Sequence, residues 1–466
     1  MTREAAATPS PLGASVFSGR RPTGSGDLSV ETHGIAPIGE DQRYGRPERL
    51  FTVWFAPQVN MTGVFTGTLA IGLGLGFWLG MLAMVIGTVL GSLVVGYLST
   101  WGPRTGAGQL PNSRMAFGGG VVLPGVLQWL SSIAWDGLVG LFGGEALAVL
   151  LDIPFWIGVL IVLALQGAVG FFGYELIHRV QAVLSVVLFV TFVVFAVKLV
   201  GGHQVITPVS AQGADLVGAF VLEVTIALSL AISWASYAAD FSRYLPASSS
   251  RRRVFGFSFA GIVSAYIFVQ GIGIAAAGVL SEQTALGVRS VMGGGVLGAV
   301  ALLVIALAAI GSSAMNDYSG SLALQTVGVR VRRPVSAVVV TVLAFVLILW
   351  LHSGDTASRF EDVLLLIGYW IPAFVAVIVI DWLIRSRGRA SINPAQERTA
   401  RPDAVAALVA FVLAYAAAVP FMNTSVIQGP VAVAWHGADV AYFVNFLVAA
   451  VLYGGYRLVR IRKKGR

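Results

Sequence analysis

From residue 51 to the C-terminal end the chain alternates long apolar stretches with short polar joints. The stretches are apolar all round, with no polar face for water, which is the pattern of helices buried in lipid. Most approach the ~20 residues that a helix needs to cross a bilayer. They predict helices at 51–73, 76–99, 119–149, 154–172, 180–201, 215–239, 254–280, 291–314, 334–351, 361–385, 403–421 and 438–460. The expectation is an all-α integral membrane protein of about twelve transmembrane helices. Residues 1–50 are polar and rich in Pro, Gly, Ser and Thr. They have no apolar core of the kind a cleavable signal peptide carries, and 1–30 reads as a disordered tail.

Composition supports the lipid reading. Hydrophobic residues make up 56% of the 466 and charged residues 11%, against roughly 25% charged in an ordinary soluble domain. Cysteine is absent, which excludes disulfides, thiolate catalysis and cysteine metal sites. The five histidines are scattered, with no pair at helical metal spacing. The net charge of +8 could point to nucleic acid, but its placement argues against such a partner. With the N-terminus inside, only Lys198, Arg289 and Arg359 of the 30 basic residues fall on outer segments. This is the positive-inside bias. It predicts a multi-pass protein of the plasma (cytoplasmic) membrane with both termini cytoplasmic, because one missed span would scramble the bias from that point on.

Polar residues inside the spans carry the candidate chemistry, since a charge at mid-membrane costs about 2.5–3.5 kcal/mol on insertion scales and normally faces a cavity or a partner. In the first span Pro57 breaks the helix, and Gln58 and Asn60 follow at once. Such a break is tolerated where it lines a cavity; the plainer reading is a proline kink with amides bonded to neighbouring helices. The third span carries Gln128, Trp135, Asp136 and Glu145. The sixth holds Glu223 in its outer half and then Ser233-Trp-Ala-Ser-Tyr-Ala-Ala-Asp240, with Arg243 three residues further on. That spacing puts Asp240 and Arg243 on one helical face as an anchoring ion pair. The eighth ends in Gly311-Ser-Ser-Ala-Met-Asn316. Its hydroxyls at Ser312 and Ser313 suit a cation, while the plain reading of Asn316 is a cap or an interhelical hydrogen bond.

Spans one and six are both interrupted and stand five apart. Paired interruptions of this kind point to a transporter built of two inverted five-helix repeats, with spans eleven and twelve as additions. The predicted organisation is a polar N-terminal segment 1–50, a ten-helix core 51–385, a cytoplasmic loop 386–402, two further helices within 403–460 and a basic end 461–466.

At these same residues the chain resembles the nucleobase–cation symporter family, in its purine–cytosine permease branch. The matching segments are Glu31-Thr-His-Gly-Ile-Ala-Pro-Ile-Gly with Arg43, and Trp54 with Asn60. Further along are Ser113-Arg-Met-Ala-Phe-Gly118, Trp135, Asp240-Phe-Ser-Arg-Tyr-Leu-Pro246, and Asn316-x-Tyr-Ser-x-x-Leu-x-x-Gln325. They run from about residue 31 to 330; the last four spans match mainly by hydropathy. The resemblance implies import of a nucleobase or related heterocycle driven by H⁺ or Na⁺, with no other cofactor. It implies a flat ring held between Trp135 and Trp234, read at its edge by Asn316, with Gln58 and Asn60 completing the pocket. Where many members carry an amide four residues after the span-three tryptophan, this chain has Val139, which leaves the ring's identity open. On strict spacing the hydroxyl pair of sodium-coupled relatives falls on Ile310 and Gly311, with Ser312 and Ser313 alongside. The balance tips toward protons, with Glu223 or Asp136 as carrier, because a carboxylate buried away from cations readily takes one up. Rival readings are a transporter of the same fold for allantoin, a hydantoin, thiamine or an amino acid, a membrane enzyme, and a channel. The spans show no nucleophile–base set for the second and no ring of repeated polar residues for the third.

Overall fold

A computed structural model describes residues 34–464, apart from 173, 281–282, 329–332, 388, 390–391, 395–396 and 398. The expected disordered tail and the residues Glu31 to His33 lie outside the described residues, as do Arg330, Arg332, Arg398 and the last two residues. Every predicted span contains an apolar helix. Eight are long enough to cross a membrane by length and composition, and shorter apolar helices at Met61–Gly72, Phe155–Ala168, Val186–Gly202 and Val338–His352 fill the remaining four places.

The first span is two helices, Arg49–Phe55 and Met61–Gly72, joined by a tight turn Ala56–Gln58 that holds Pro57. Asn60 starts the second helix by accepting the Gly63 N–H at 3.0 Å, as an N-cap does. The sixth span is helical over Gly213–Ile232, then tightens at Ser233–Ser236. There Ser233 donates to the Leu230 carbonyl at 2.8 Å, so a side chain competes for backbone groups of the helix. Beyond it the chain runs to Leu245 in successive turns, which replaces the expected helical face under Asp240 and Arg243. The eighth span, Gly295–Val327, continues well past its predicted end at 314.

Span ten departs from expectation. It is split into Thr356–Leu366 and Ile371–Arg385. Carbonyls at the break accept from other spans: Leu364 from Ser229 at 2.9 Å, Leu365, which also takes the Gly368 and Tyr369 N–H, from Tyr442 at 3.2 Å, and Tyr369 from the Asn445 amide. This satisfies backbone groups that lipid could not.

Packing follows the inverted repeat. Span two lies along span six, and the Met61–Gly72 half of span one along span seven. Adding five to each member, counted around the ten, turns the first pair into the second. Likewise span nine packs on three as span four packs on eight. Glycines permit both close crossings: a Cβ at Gly87 would meet the Val224 carbonyl, and one at Gly273 the Val64 carbonyl. Small residues at such crossings are how membrane helices approach. Spans eleven and twelve pack on each other and on span ten, outside the repeat.

Both ends of the described chain lie on one face. Residues 34–48 form a strap there: Ile38 N–H donates to Gly106, Tyr44 N–H to Tyr244, and the Arg43 guanidinium to Pro103 and Ile38. At the other end of the chain Arg457 pairs with Asp381 and Arg460 with Asp403. Arg385, bonded to the same Asp381, also donates to the Met115 carbonyl, and Arg114 to that of Thr326.

Candidate functional site

The span-one break packs against spans five, seven and eight and the span-six turn against spans two and ten, and their polar side chains are wired together. Trp234, in the sixth-span turn, donates its indole N–H to the Tyr266 hydroxyl at 2.8 Å. Tyr266, on span seven, donates in turn to Gln58 Oε1 at 2.6 Å. All three are buried, and Gln58 Nε2 has no protein partner. The donor is therefore uncommitted at the break, where an amide can address a polar ligand. Trp54 and Tyr237 pack edge-on against Trp234 at 5.7 Å each, which fixes the orientation of its ring.

A second set joins the span-one break to span eight. The freed Pro57 carbonyl accepts from Asn60 Nδ2 at 2.6 Å and from the Ser312 hydroxyl at 2.7 Å. Ser312 also receives Asn60 Nδ2 at 3.4 Å. In this conformation Ser312 and Asn60 thus satisfy broken backbone. Ser313 points elsewhere, toward the carboxyl group of Asp136 on span three, together with Asn316 and Asp317. Neither Asp136 oxygen has a hydrogen-bond partner, although the residue is fully buried.

Trp135 is buried, with no ring neighbour among the described residues. It shares a face of Val122–Leu151 with Val139 and Phe142, by their spacing of four and three. Phe142 meets Phe65 at 4.9 Å, and Phe65 meets Phe360 at 5.0 Å. This aromatic trio closes the pocket level toward the face opposite the strap. Above it, Phe65 and Phe142 floor a cavity of about 310 Å³, whose walls include Glu145, Asp152 and His352.

The structure thus gathers Gln58, Asn60, Trp234 and Ser312 around two broken helices, and Asp136, Ser313 and Asn316 between spans three and eight. Glu223 is set apart. It precedes Trp234 by eleven residues, roughly 16 Å along a helix. It is fully buried and unbonded, and its charged neighbour is Glu361 of span ten. Glu145 has a structural task, accepting the Ala285 N–H at 2.9 Å at the start of the helix Thr284–Val291. Asp240 serves as a tie between segments: it accepts from Gln109 N–H at 2.7 Å and from Ser319 at 2.9 Å. Arg243 reaches back to the Gly34 carbonyl of the strap. Tyr266 and Asp317 escape the sequence reading. A buried tryptophan N–H needs an acceptor, so a phenol within an apolar span was the available signal for Tyr266.

The family model described as permease for cytosine/purines, uracil, thiamine, allantoin matches residues 37–445. The protein YxlA of Bacillus subtilis strain 168, whose name places it among purine-cytosine permeases, is 26% identical over 453 residues, covering 94% of this chain and 98% of its own. The purine-cytosine permease fcyB of Emericella nidulans is 25% identical over 464 residues, covering 94% and 91%. Among solved structures, the nucleobase-cation-symport-1 family transporter Mhp1, closed with bromovinylhydantoin bound, superposes with a TM-score of 0.73 at 18% identity. That match covers 92% of this chain and 94% of Mhp1.

Proposed function

The chain belongs to the family of permeases for cytosine/purines, uracil, thiamine and allantoin, and on that premise we propose that it imports a nucleobase or related flat heterocycle by cation symport. Substrate and cation bind from outside near the midplane, one helix bundle rocks against the other, and both are released to the cytoplasm. The membrane is the plasma membrane, with the strap face and both termini cytoplasmic. The observation that carries the reading is the hydrogen-bonded chain Trp234–Tyr266–Gln58 across two broken helices, with the free Gln58 amide at its end.

The pocket is Trp135 and Trp234 as walls, Asn316 and Gln58 as edge readers, and Asn60 as the cap that fixes the break. Stacking a base on one aromatic ring is worth about 1–3 kcal/mol, so two walls supply about 2–6 kcal/mol. Micromolar binding needs about 8 kcal/mol. The remainder falls to edge hydrogen bonds, which also set selectivity, because an amide unpaired by the wrong ring costs affinity. Val139, buried one turn above Trp135, offers no such bond. This leaves the ring's identity open, and keeps allantoin, hydantoin, thiamine and amino-acid substrates as the second reading.

For the coupling ion we favour a proton carried at Asp136, beside the edge reader Asn316, with Glu223 as the second candidate. Sodium would need oxygens such as those of Ser312 and Ser313; the fully buried Asp136 carboxyl is what tips the balance toward a proton. The deciding experiment is competitive uptake of labelled hypoxanthine, cytosine, uracil and allantoin in cells at varied pH and Na⁺. Saturable uptake that rises as external pH falls, without need of Na⁺, supports the proposal; strict Na⁺ dependence overturns the proton assignment. Trp135→Ala or Asn316→Ala should abolish uptake with the protein still in the membrane, and full uptake by both would sink the pocket.

A further inference from the structure

On the strap face, outside the transport pocket, a cavity of about 230 Å³ is walled by three segments distant in sequence. Thr100 and Arg104 come from the end of span two, Ser249 and Arg251 from the start of span seven, and Arg389 from the loop after span ten. Among the described residues no acidic side chain lines it. Arg104 is held in place: its guanidinium sits 5.0 Å over the Trp382 ring, which stacks on Trp101 at 4.2 Å, and it donates to the Arg389 carbonyl. Arg251 is the first residue of the helix Arg251–Leu280 and is exposed. Its charge acts on that of Arg104. Arg389 pairs with Glu397, outside the cavity wall. Three like charges converge on one concave site, at the N-terminus of a long helix that itself favours an anion.

The wall continues into lipid. Leu82, Ile86, Leu90 and Leu93 on span two are 38–51% exposed. With Tyr97, Thr100 and Arg104 they are spaced by three or four residues, so they share one helical face. The helix Gly76–Ser99 runs on through Thr100 into Trp101–Thr105, so that face is continuous. From Leu90 to Thr100 is roughly 15 Å, half of a ~30 Å hydrocarbon core. A lipid lying along the stripe would bring its phosphate past Tyr97 to Arg104, Thr100 being buried with its hydroxyl on the Tyr97 carbonyl.

We propose that this cavity binds the phosphate headgroup of an anionic lipid, with Arg104, Arg251 and Arg389 as its charge partners and the Leu82–Leu93 stripe as its chain track. Basic pockets between helices on the cytoplasmic side recognise such headgroups. The stripe favours a lipid over soluble phosphate.

The test uses the purified full-length protein and native mass spectrometry, with phosphatidylglycerol titrated against a phosphatidylcholine background. The parent should keep phosphatidylglycerol preferentially. Arg251→Gln and Arg389→Gln should each weaken retention about fivefold. Arg462→Gln, outside the cavity, should leave it unchanged, and melting in phosphatidylcholine alone checks that the variants fold. A parallel arm adds inorganic phosphate and reads the melting temperature. Equal phosphatidylglycerol retention by the parent and the double variant overturns the proposal. Protection by inorganic phosphate without any phosphatidylglycerol preference overturns it too, by assigning the cavity to a soluble anion.

Discussion

The hydroxyl of Tyr266 joins three spans, accepting from Trp234 and donating to Gln58. Replacing it with Phe leaves a buried indole N–H and a buried amide oxygen without partners. Each orphaned group costs about 1–3 kcal/mol. If the Gln58 amide reorients to recover a bond, it turns away from the ligand. Tyr266→Phe should therefore raise the substrate KM about tenfold or more while the protein still reaches the membrane, as initial-rate uptake would show. An unchanged KM would mean that the chain of bonds is scaffolding only. Gln58 and Asn60 were legible because they directly follow Pro57, and a local break with local amides is written in one stretch of chain. Tyr266 was not, because its partners lie 32 and 208 residues away and nothing beside it marks its role. Asp136 was legible as a rare charge in an apolar span. Its neighbour Asp317 lies past residue 314, where hydropathy ends the predicted span eight.

The same contrast holds for whole elements. The breaks in spans one and six announce themselves through Pro57 and through the serines around Trp234. The break in span ten has a weaker mark, Gly368 four residues before Pro372. Proline lacks the N–H that would bond the carbonyl four residues back, so this pair was the signal available. What stabilises the break is tertiary, the clasp of Ser229, Tyr442 and Asn445 on its carbonyls. The clasp sits tightly on Gly368: an added Cβ would overlap the Tyr442 hydroxyl and lie 2.6 Å from that of Ser229. Gly368→Ala should therefore lower the melting temperature markedly and cut transport. Adding Tyr442→Phe should recover part of both, since it removes the overlapping oxygen. Failure of the double variant to improve on Gly368→Ala would show that the glycine is needed for its backbone and not for the clasp. Span eight runs past its predicted end for a related reason. Its Ser312 and Ser313 turn sideways to the span-one break and to Asp136, so small polar residues that look like a helix end are instead an interhelical contact.

For the whole molecule the question is which way it faces. On one side the strap of residues 34–48 ties the ends of spans two and six together through Arg43, Ile38 and Tyr44, and Arg243 ties back to Gly34. On the other a cavity of about 310 Å³ descends to Phe65 and Phe142. Cavities also lie on the strap side, of about 490 Å³ between the strap and the ends of spans three and eight and of about 230 Å³ beside Arg104, so on the proposed orientation delivery inward requires the strap contacts to give way. The bias of basic residues predicts which face is cytoplasmic, but nothing in the sequence announces the strap. The segment reads as polar tail, and its order comes from backbone groups such as the Gly106 carbonyl that composition does not reveal. The absence of cysteine makes both points directly testable with single introduced thiols. Gly202→Cys, at an exposed helix end, should react with an impermeant maleimide on intact cells, and Ser249→Cys only after permeabilisation. The reverse pattern would invert the topology. Ala323→Cys, on the buried inner part of span eight, reports on opening at the strap face. Adding Arg43→Ala removes the bonds to Pro103 and Ile38, each worth about 1.5–3 kcal/mol for a charged donor. That should shift the population toward the inward-open state and raise the reaction rate at position 323 by tenfold or more. Equal rates with and without Arg43 would show that the strap rides on the closed face without holding it shut.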